Sequence, residues 1–159
     1  MTVQMDDRYM KYSILLGIFL IGYVSRVYFA SLAPQTLIWD MASYDHYARL
    51  FLDFSLPIDC CFKNLGYSAF LAGVYVIAGV GNSDAVRFVN IVLDMLTAVF
   101  LFIAMRRFGG EGPAWWSAIL YCLNPFTASY TGLTLAENLT ACILGGMIVV
   151  LSGTSFREQ

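Results

Sequence analysis

Long apolar runs are the feature that most constrains this chain, because a helix needs about 20 mostly apolar residues to cross the hydrocarbon core of a bilayer. Four runs approach that length, at residues 12–33, 85–105, 113–130 and 135–151. Hydrophobic residues make up 59% of the chain, charged residues 13%, and the mean hydropathy is +0.69, unlike a soluble domain. The sequence therefore predicts an all-α membrane protein in which residues 1–159 form one module of four transmembrane helices.

The connection after the first run, residues 34–84, is predicted to be an outer loop with two helices of its own. A fifth apolar run at residues 66–80 is too short for a simple span and predicts a re-entrant or interfacial helix. In residues 43–54, aromatic side chains recur at helical spacing on one face and charged side chains on another. This pattern predicts an amphipathic helix lying on the membrane with its aromatic face down. A solvated amphipathic connector would show the same pattern.

Basic residues indicate the orientation in the membrane. In a four-span protein the cations that flank the runs fall on one side: Arg8, Lys11, Arg106, Arg107 and Arg157. The positive-inside rule makes that side cytoplasmic. Both termini are therefore expected in the cytoplasm, with the protein in an inner, plasma or ER-like membrane. The first run could instead be a secretory signal. Because it is long for a signal core and is interrupted by Arg26, we expect an anchor.

Neither a metal centre nor nucleic-acid binding is indicated by the residues. Cys122 and Cys142 fall within predicted spans, and the adjacent Cys60 and Cys61 have no further Cys or His at the spacing of zinc ligands. His46 is the single histidine of the chain, which excludes a multi-histidine centre. The net charge is −2, and the cations sit at the ends of membrane helices rather than on a basic surface, so no nucleic acid is expected as a partner.

A polar stripe runs along the second predicted span. Arg87, Asn90 and Asp94 lie at i, i+3 and i+7 and share a helix face. That face should point into the bundle, since ionisable groups cost roughly 2.5 to 3.5 kcal/mol each within a bilayer. The three side chains could satisfy one another and merely join helices. Alternatively, Arg87 could offer its planar donor fork to a phosphate. In the third span, Asn124-Pro125 is expected to kink or break the helix.

Acidic residues border the predicted outer face. Asp40 and Asp45 follow the first span, and Glu137 precedes the fourth. Helix capping can explain two of them. Asp40 could be the N-cap of the amphipathic helix, and Thr134-Leu-Ala-Glu137 has the form of a capping box.

Six short segments occur in a characteristic order: WDMASYDHYARL at 39–50, LGYSAFLA at 65–72, VRFVN at 86–90, AMRRFG at 104–109, NPF at 124–126 and LTLAE at 133–137. Together they resemble the N-terminal half of a GT-C glycosyltransferase, of the group related to dolichyl-phosphate-mannose protein mannosyltransferases and bacterial lipid A aminoarabinose transferases. The chain departs from that group at Lys63-Asn64, where a proline pair is common, and at Asp94, where a small residue is usual.

The resemblance implies an inverting membrane enzyme that transfers a sugar from a polyprenyl-phosphate carrier to an acceptor on the outer or lumenal face. It implies Asp40 as the catalytic carboxylate, with Asp45 as the second choice, because the acceptor hydroxyl must lose a proton to a base. The expected substrate- or phosphate-binding residues are Arg87, Glu137, Tyr44 and His46. The cofactor is undetermined, and a divalent cation would have Asp40 as its candidate ligand.

Members of this group carry further spanning helices that are expected to hold the carrier lipid. We therefore expect this chain to be a fragment or one part of a split enzyme, inactive alone, with the remaining helices, membrane lipid and the lipid-linked sugar donor as its partners. A non-enzymatic four-helix membrane protein that packs with a partner subunit explains the hydropathy and charge equally well, but not the ordered segments. A transporter or channel subunit would be expected to carry acids inside more than one helix.

Overall fold

The computed structural model describes residues 7–34, 36–56 and 65–155 of the chain. Over these residues the protein contains seven α-helices and no strand, which confirms the all-α class. The expectations for the Cys60–Cys61 pair and for Arg157 lie outside the described residues. The helices are α1 (Asp7–Leu32), α2 (Asp40–Leu52), α3 (Leu65–Ala78), α4 (Ser83–Gly109), α5 (Glu111–Cys122), α6 (Pro125–Tyr130) and α7 (Glu137–Ser155).

Two of the described helices are long and apolar enough to cross a membrane, and they match the first and second predicted spans. They are the Tyr9–Leu32 part of α1 and the whole of α4. α1 ends shortly before Pro34, since a proline disfavours helical backbone in the residue that precedes it. α4 begins after Asn82, whose Oδ1 accepts a hydrogen bond from the Ala85 N–H at 3.1 Å. By length and composition these helices favour association with a membrane.

The third and fourth predicted spans do not form helices that are long and apolar enough to cross a membrane, so the prediction of four transmembrane helices is wrong. Residues 113–130 are divided between α5 and α6. Pro125 cannot donate a backbone hydrogen bond, and Asn124 caps a new helix by accepting from the Phe126 N–H at 2.9 Å. The predicted break at this step is therefore confirmed. The apolar part of α7, Glu137–Gly153, is shorter than the two span-length helices.

The connection between α1 and α4 contains α2 and α3, which pack on each other. α3 has 14 residues, a length consistent with the predicted helix that does not cross. The prediction for α2 is wrong in one respect, because its aromatic face lies against α3 instead of on the membrane. Ala48 is completely buried in this contact beside Leu71 and Tyr75, with Tyr44 and Phe51 packed around them.

Small residues allow the helices of the bundle to approach closely. α4 packs against α1, α5 and α7. A Cβ atom added at Gly22 of α1 would lie 2.9 Å from both the Cβ and the Sγ of Cys122 in α5. At Gly145 of α7 the added atom would lie 3.2 Å from the Cβ of Phe100 in α4. Glycine at such contacts is typical of helices that associate by van der Waals packing inside a membrane.

An ion pair lies inside the bundle. Arg26 of α1 is fully buried, and its Nε lies 2.6 Å from Oδ2 of Asp94 in α4, which is 2% exposed. The hydroxyl of Tyr121 in α5 donates to the other carboxylate oxygen of Asp94 at 2.7 Å. The expectation that Arg87, Asn90 and Asp94 satisfy one another is therefore wrong for Asp94, whose partners come from other helices.

Every nitrogen of the Arg26 guanidinium is engaged. Its terminal nitrogens donate to the carbonyl oxygens of Gly22 at 3.2 Å, Cys122 at 2.7 Å and Tyr121 at 3.0 Å, and to Thr127 Oγ1 at 3.3 Å. A buried charge is tolerated only when it is paired and its remaining hydrogen bonds are made. This one side chain thus joins α1 to α4, α5 and α6.

We expect Arg26→Leu and Asp94→Leu each to lower the free energy of unfolding by about 3 to 5 kcal/mol, because each leaves an unpaired buried charge. The double substitution should recover most of that loss, since it removes both charges. Titration of the detergent-solubilised protein with sodium dodecyl sulfate, followed by circular dichroism, measures these differences.

Lys11→Leu is the control for this experiment. It breaks the Lys11–Glu111 pair, whose two side chains are each 55% exposed, so solvent screening should leave little effect. If the double variant loses the sum of the two single losses, the buried pair does not stabilise the bundle in the way described.

Candidate functional site

The predicted site residues lie at the end of the bundle where α1 stops and α4 and α7 begin. Arg87 of α4 reaches the end of α1, and its Nη2 donates to the carbonyl oxygens of Ala33 at 3.1 Å and Pro34 at 3.4 Å. Its Nη1 lies 3.5 Å from the Asp84 carboxylate. Arg87 therefore fixes the point at which the chain leaves α1 towards Asp40. Its assignment as a phosphate-binding residue stays a prediction.

Asp40 is the first residue of α2. The N-cap is Trp39, whose side chain makes no capping hydrogen bond, so the interpretation of Asp40 as the N-cap is wrong. The Asp40 carboxylate instead lies in the first turn, where the helix dipole favours negative charge. The residue is exposed. The predicted catalytic position thus holds a solvent-accessible carboxylate whose charge is compatible with its place in the helix.

Two exposed aromatic residues flank α2. Trp39 and Phe54 both have a φ of 50°, a conformation that residues other than glycine rarely adopt. Their side chains are 87% and 97% exposed. Backbone conformations of this kind cost about 1 to 3 kcal/mol each and concentrate at functional sites. Exposed tryptophan and aromatic rings at the ends of a helix are also typical of a membrane–water interface.

Asp45 links α2 to α3. Its Oδ2 lies 2.9 Å from the Nε of Arg49 one turn later, and its Oδ1 accepts a hydrogen bond from the Tyr75 hydroxyl at 2.6 Å. Burial raises the pKa of Tyr75, and the hydrogen bond to Asp45 acts in the same direction. The hydrogen bond to Asp45 likewise raises the pKa of Arg49 above its usual value. Asp45 is therefore held by one partner on its own helix and one on α3.

Tyr44 brings the Asp40 face of α2 into contact with α3. Tyr44 lies four residues after Asp40, so the two residues share a helix face. The Tyr44 ring packs edge-on against the ring of Tyr67, with centroids 4.9 Å apart and planes at 76°. Tyr67 is 3% exposed. Burial raises the pKa of Tyr67, the nearby Asn90 side chain opposes this shift, and the negative charge of Glu137 adds to it.

Three buried polar atoms beside this contact have no hydrogen-bond partner within the described part of the chain. They are the Tyr67 hydroxyl, Ser68 Oγ and Asn90 Oδ1. The amide nitrogen of Asn90 is engaged, since it donates to the Leu133 carbonyl oxygen at 2.7 Å. A buried polar group left without a partner costs about 1 to 3 kcal/mol. The Tyr67 hydroxyl and the Asn90 side chain are neighbours across the α3–α4 contact, since Asn90 acts on the Tyr67 pKa.

Glu137 lies at the start of α7. The Ala136 carbonyl accepts the first helical hydrogen bond, from the Thr140 N–H at 2.9 Å, so Glu137 is the first helical residue and not the third. The capping-box interpretation with Thr134 is therefore wrong. Glu137 is exposed and lies at a cavity of about 190 Å³ that also reaches Asp94. The acid thus borders a cavity that Tyr121 and Asn138 also line.

The other expected site residue, His46, lies elsewhere on α2. It is exposed, and its ring centroid is 5.7 Å from that of Tyr47. Two residues along a helix correspond to a rotation of about 200°, which turns His46 away from the face of Tyr44. The structure therefore brings Tyr44 and Glu137 close to Tyr67, places Asp40 one helical turn before Tyr44, and turns His46 away from that face.

A metal site does not fit the described residues. Over these residues, no group of three or more His, Cys, Asp or Glu side chains is arranged to hold a metal ion. A divalent cation at Asp40 would therefore not find a set of three or more such ligands among the described residues.

Tyr67, Ser68 and Asn90 were not identified as a group by the sequence pattern. Tyr67 and Ser68 fall in an apolar run, where an isolated hydroxyl is an ordinary feature of a helix interface, and Tyr67 meets Asn90 only through the packing of α3 on α4. Comparisons with known protein families, with curated proteins and with solved structures give no match for this chain. A functional interpretation therefore has to be argued from the residues of this chain alone.

Tyr75→Phe should lower the free energy of unfolding by about 1.5 to 3 kcal/mol, because it removes a buried hydrogen bond to the charged Asp45. The same detergent titration measures the change. Tyr28→Phe, which removes a hydroxyl from a residue that is 60% exposed, is the matched control and should alter stability little. Equal effects of the two substitutions would show that the Tyr75–Asp45 contact does not hold α2 on α3.

Proposed function

We propose that this chain is the N-terminal membrane module of an inverting GT-C glycosyltransferase, which moves a sugar from a polyprenyl-phosphate carrier to an acceptor on the outer or lumenal face. The observation that carries the proposal is the contact of Tyr44, one helical turn after Asp40, with the buried Tyr67, whose pKa the nearby Glu137 charge also raises. Two acids, an aromatic surface and buried hydrogen-bonding atoms are the components that a sugar-transfer site requires.

Exposed apolar surface supports the membrane part of the proposal. Only 17% of the most apolar window of α1 and 33% of that of α4 is buried, whereas the core helix of a soluble protein is mostly buried. Side chains such as Leu16 at 71% exposure and Leu20 at 60% would face water in a soluble protein. An apolar surface of this extent is stable in contact with lipid or with further membrane helices.

The packing of α1 supports a retained anchor over a cleaved signal. Arg26 provides the only basic partner described for the Asp94 carboxylate within the resolved helices, at 2.6 Å. Cleavage after α1 would leave that carboxylate in the bundle without its counter-charge, which is costly in a low-dielectric interior. We therefore propose that α1 remains part of the mature protein.

The proposed transfer is a single displacement at the anomeric carbon of the donor. The acceptor hydroxyl oxygen forms a new bond to that carbon, and its proton passes to the Asp40 carboxylate. The bond between the anomeric carbon and the phosphate oxygen breaks, and its electron pair leaves with the polyprenyl phosphate. Arg87 is the proposed cation for that phosphate, and Glu137 with the Tyr67 hydroxyl would bind sugar hydroxyl groups.

Asp40→Asn is expected to lower sugar transfer by about 100- to 10,000-fold, the usual cost of losing a positioned general base. The substitution keeps the size of the side chain and removes its charge. The assay uses native membranes in which the substituted chain replaces the original, supplied with radiolabelled polyprenyl-phosphate mannose, glucose or aminoarabinose. Expression and membrane insertion should stay nearly normal.

Asp53→Asn and Asp45→Asn are the matched controls for the same assay. Asp53 is exposed at the end of α2 and should tolerate the change. Asp45→Asn should be milder than Asp40→Asn, because Asp45 serves mainly to link α2 to α3. If Asp45→Asn is inactive while Asp40→Asn transfers normally, Asp45 is the base. Normal transfer by both would contradict the glycosyltransferase proposal for this loop.

The proposed topology places the Asp40 end outside and the opposite end in the cytoplasm. Lys11 and Arg106 lie together at that opposite end, since both contact Glu111. With the four native cysteines replaced by serine, a cysteine at Ser55 should react with an impermeant maleimide on intact cells. A cysteine at Gly112, where an added Cβ meets nothing within 4 Å, should react only after permeabilisation. The reverse labelling would contradict this orientation.

A non-enzymatic membrane protein that packs with a partner subunit is the second candidate. The observation that favours it is the exposed apolar face of α7, where Val150 is 68% and Leu151 62% exposed. This face could contact another subunit as readily as lipid. Because partner packing does not require the Asp40 carboxylate, retained biological function of Asp40→Asn would favour this candidate.

A further inference from the structure

A cavity of about 340 Å³ lies at the end of the bundle opposite Asp40. It is formed where the beginning of α1, the end of α4 and the beginning of α5 meet. The lining side chains fall into two kinds: one wall carries charges and the other is aliphatic and aromatic. The charged residues are Lys11, Arg106 and Glu111, and the apolar wall includes Leu15, Phe102 and Trp115.

The charges of this cavity do not balance. Lys11 Nζ lies 3.0 Å from Oε2 of Glu111, and Arg106 Nη2 lies 3.8 Å from its Oε1. Among the side chains that the structure describes here, two cations therefore share one carboxylate, which leaves one positive charge in excess. Lys11 and Glu111 are each 55% exposed and Arg106 is 52% exposed, so an anion from outside can reach the two cations.

The apolar wall limits the kind of anion that fits. Phe102 and Trp115 pack edge to face, with ring centroids 6.3 Å apart and planes at 88°. Trp116, the next residue, is 63% exposed beside the same helix end. Tryptophan and aromatic rings at this position are typical of the headgroup level of a bilayer. A ligand that contacts both the charged wall and the apolar wall needs an anionic head and an apolar chain.

We propose that this cavity binds the phosphate headgroup of an anionic phospholipid, with Lys11 and Arg106 contacting the phosphate and the Phe102–Trp115 wall contacting the acyl chains. Basic pockets between helices at the cytoplasmic side of membrane proteins bind such headgroups by the same chemistry. The site lies at the other end of the bundle from Asp40. It goes beyond the proposed sugar transfer and does not depend on it.

Glu111 gives the site a distinctive property. Its carboxylate competes with the lipid phosphate for both cations, and the contact with Lys11 lowers the pKa of Glu111, which favours the charged, competing form. Removing this charge should strengthen lipid binding. A purely structural cluster of ion pairs would gain no lipid affinity from the same change.

Native mass spectrometry of the full chain, released from a neutral detergent, tests the proposal with phosphatidylglycerol and phosphatidylcholine as probes. Phosphatidylglycerol should bind more tightly than the zwitterionic lipid. Lys11→Gln and Arg106→Gln should each weaken its binding about fivefold, as expected for loss of one cation near a lipid surface. Glu111→Gln should strengthen binding about fivefold.

Arg49→Gln is the matched control, because Arg49 also pairs with an acid but lies at the other end of the bundle. It should leave phosphatidylglycerol binding unchanged. Millimolar inorganic phosphate should displace the lipid poorly, since it lacks the acyl chains. Equal binding of the two lipids, no gain from Glu111→Gln, or full displacement by inorganic phosphate would each overturn the proposal. Should Lys11→Gln or Arg106→Gln unfold, the Glu111→Gln gain still decides the question.

Discussion

The buried ion pair between Arg26 and Asp94 is the constraint on which the rest of the bundle depends. Burying two charges is unfavourable unless each remaining hydrogen bond is made, and the guanidinium achieves this only where α1, α4, α5 and α6 meet. Tyr121 completes the arrangement by donating to the free oxygen of Asp94. Because these partners are in fixed places, the depth and rotation of α1 against α4 are fixed as well. A shift of α1 by one residue would separate the charges.

The position of the candidate site follows from that register. With α1 held by Arg26, its end reaches Arg87 near the start of α4, and Arg87 binds the last carbonyl groups before the chain turns towards α2. The aromatic face of α2 then meets α3, and Asp45 with Tyr75 holds the two helices together. Asp40, the first residue of α2, is placed through this series of contacts. The exposed carboxylate is therefore positioned by helix packing.

The sequence predicts local features of this protein well and long-range pairing poorly. The Asn124-Pro125 step predicts a helix break because proline and an asparagine cap act on adjacent residues. The helical period shows that Arg87, Asn90 and Asp94 share a face. The partner of Asp94, however, lies 68 residues away, as a single arginine within an apolar run. The same limit applies to α2. An amphipathic pattern identifies the aromatic face, and whether lipid or α3 covers it depends on tertiary packing.

Polar atoms that have hydrogen-bond partners lie in the structural part of the bundle, whereas buried polar atoms without partners lie at its candidate site. At the Arg26–Asp94 pair every nitrogen of the guanidinium has an acceptor, so a ligand would have to break existing bonds to bind there. Around Tyr67 the described residues leave two hydroxyl groups, those of Tyr67 and Ser68, and the Asn90 side-chain oxygen buried and without partners. These atoms have almost no solvent-accessible surface, so a ligand would reach them only through a change in the packing of α3 on α4. Because each such atom costs about 1 to 3 kcal/mol, this contact is a less stable part of the bundle than the fully paired Arg26–Asp94 site.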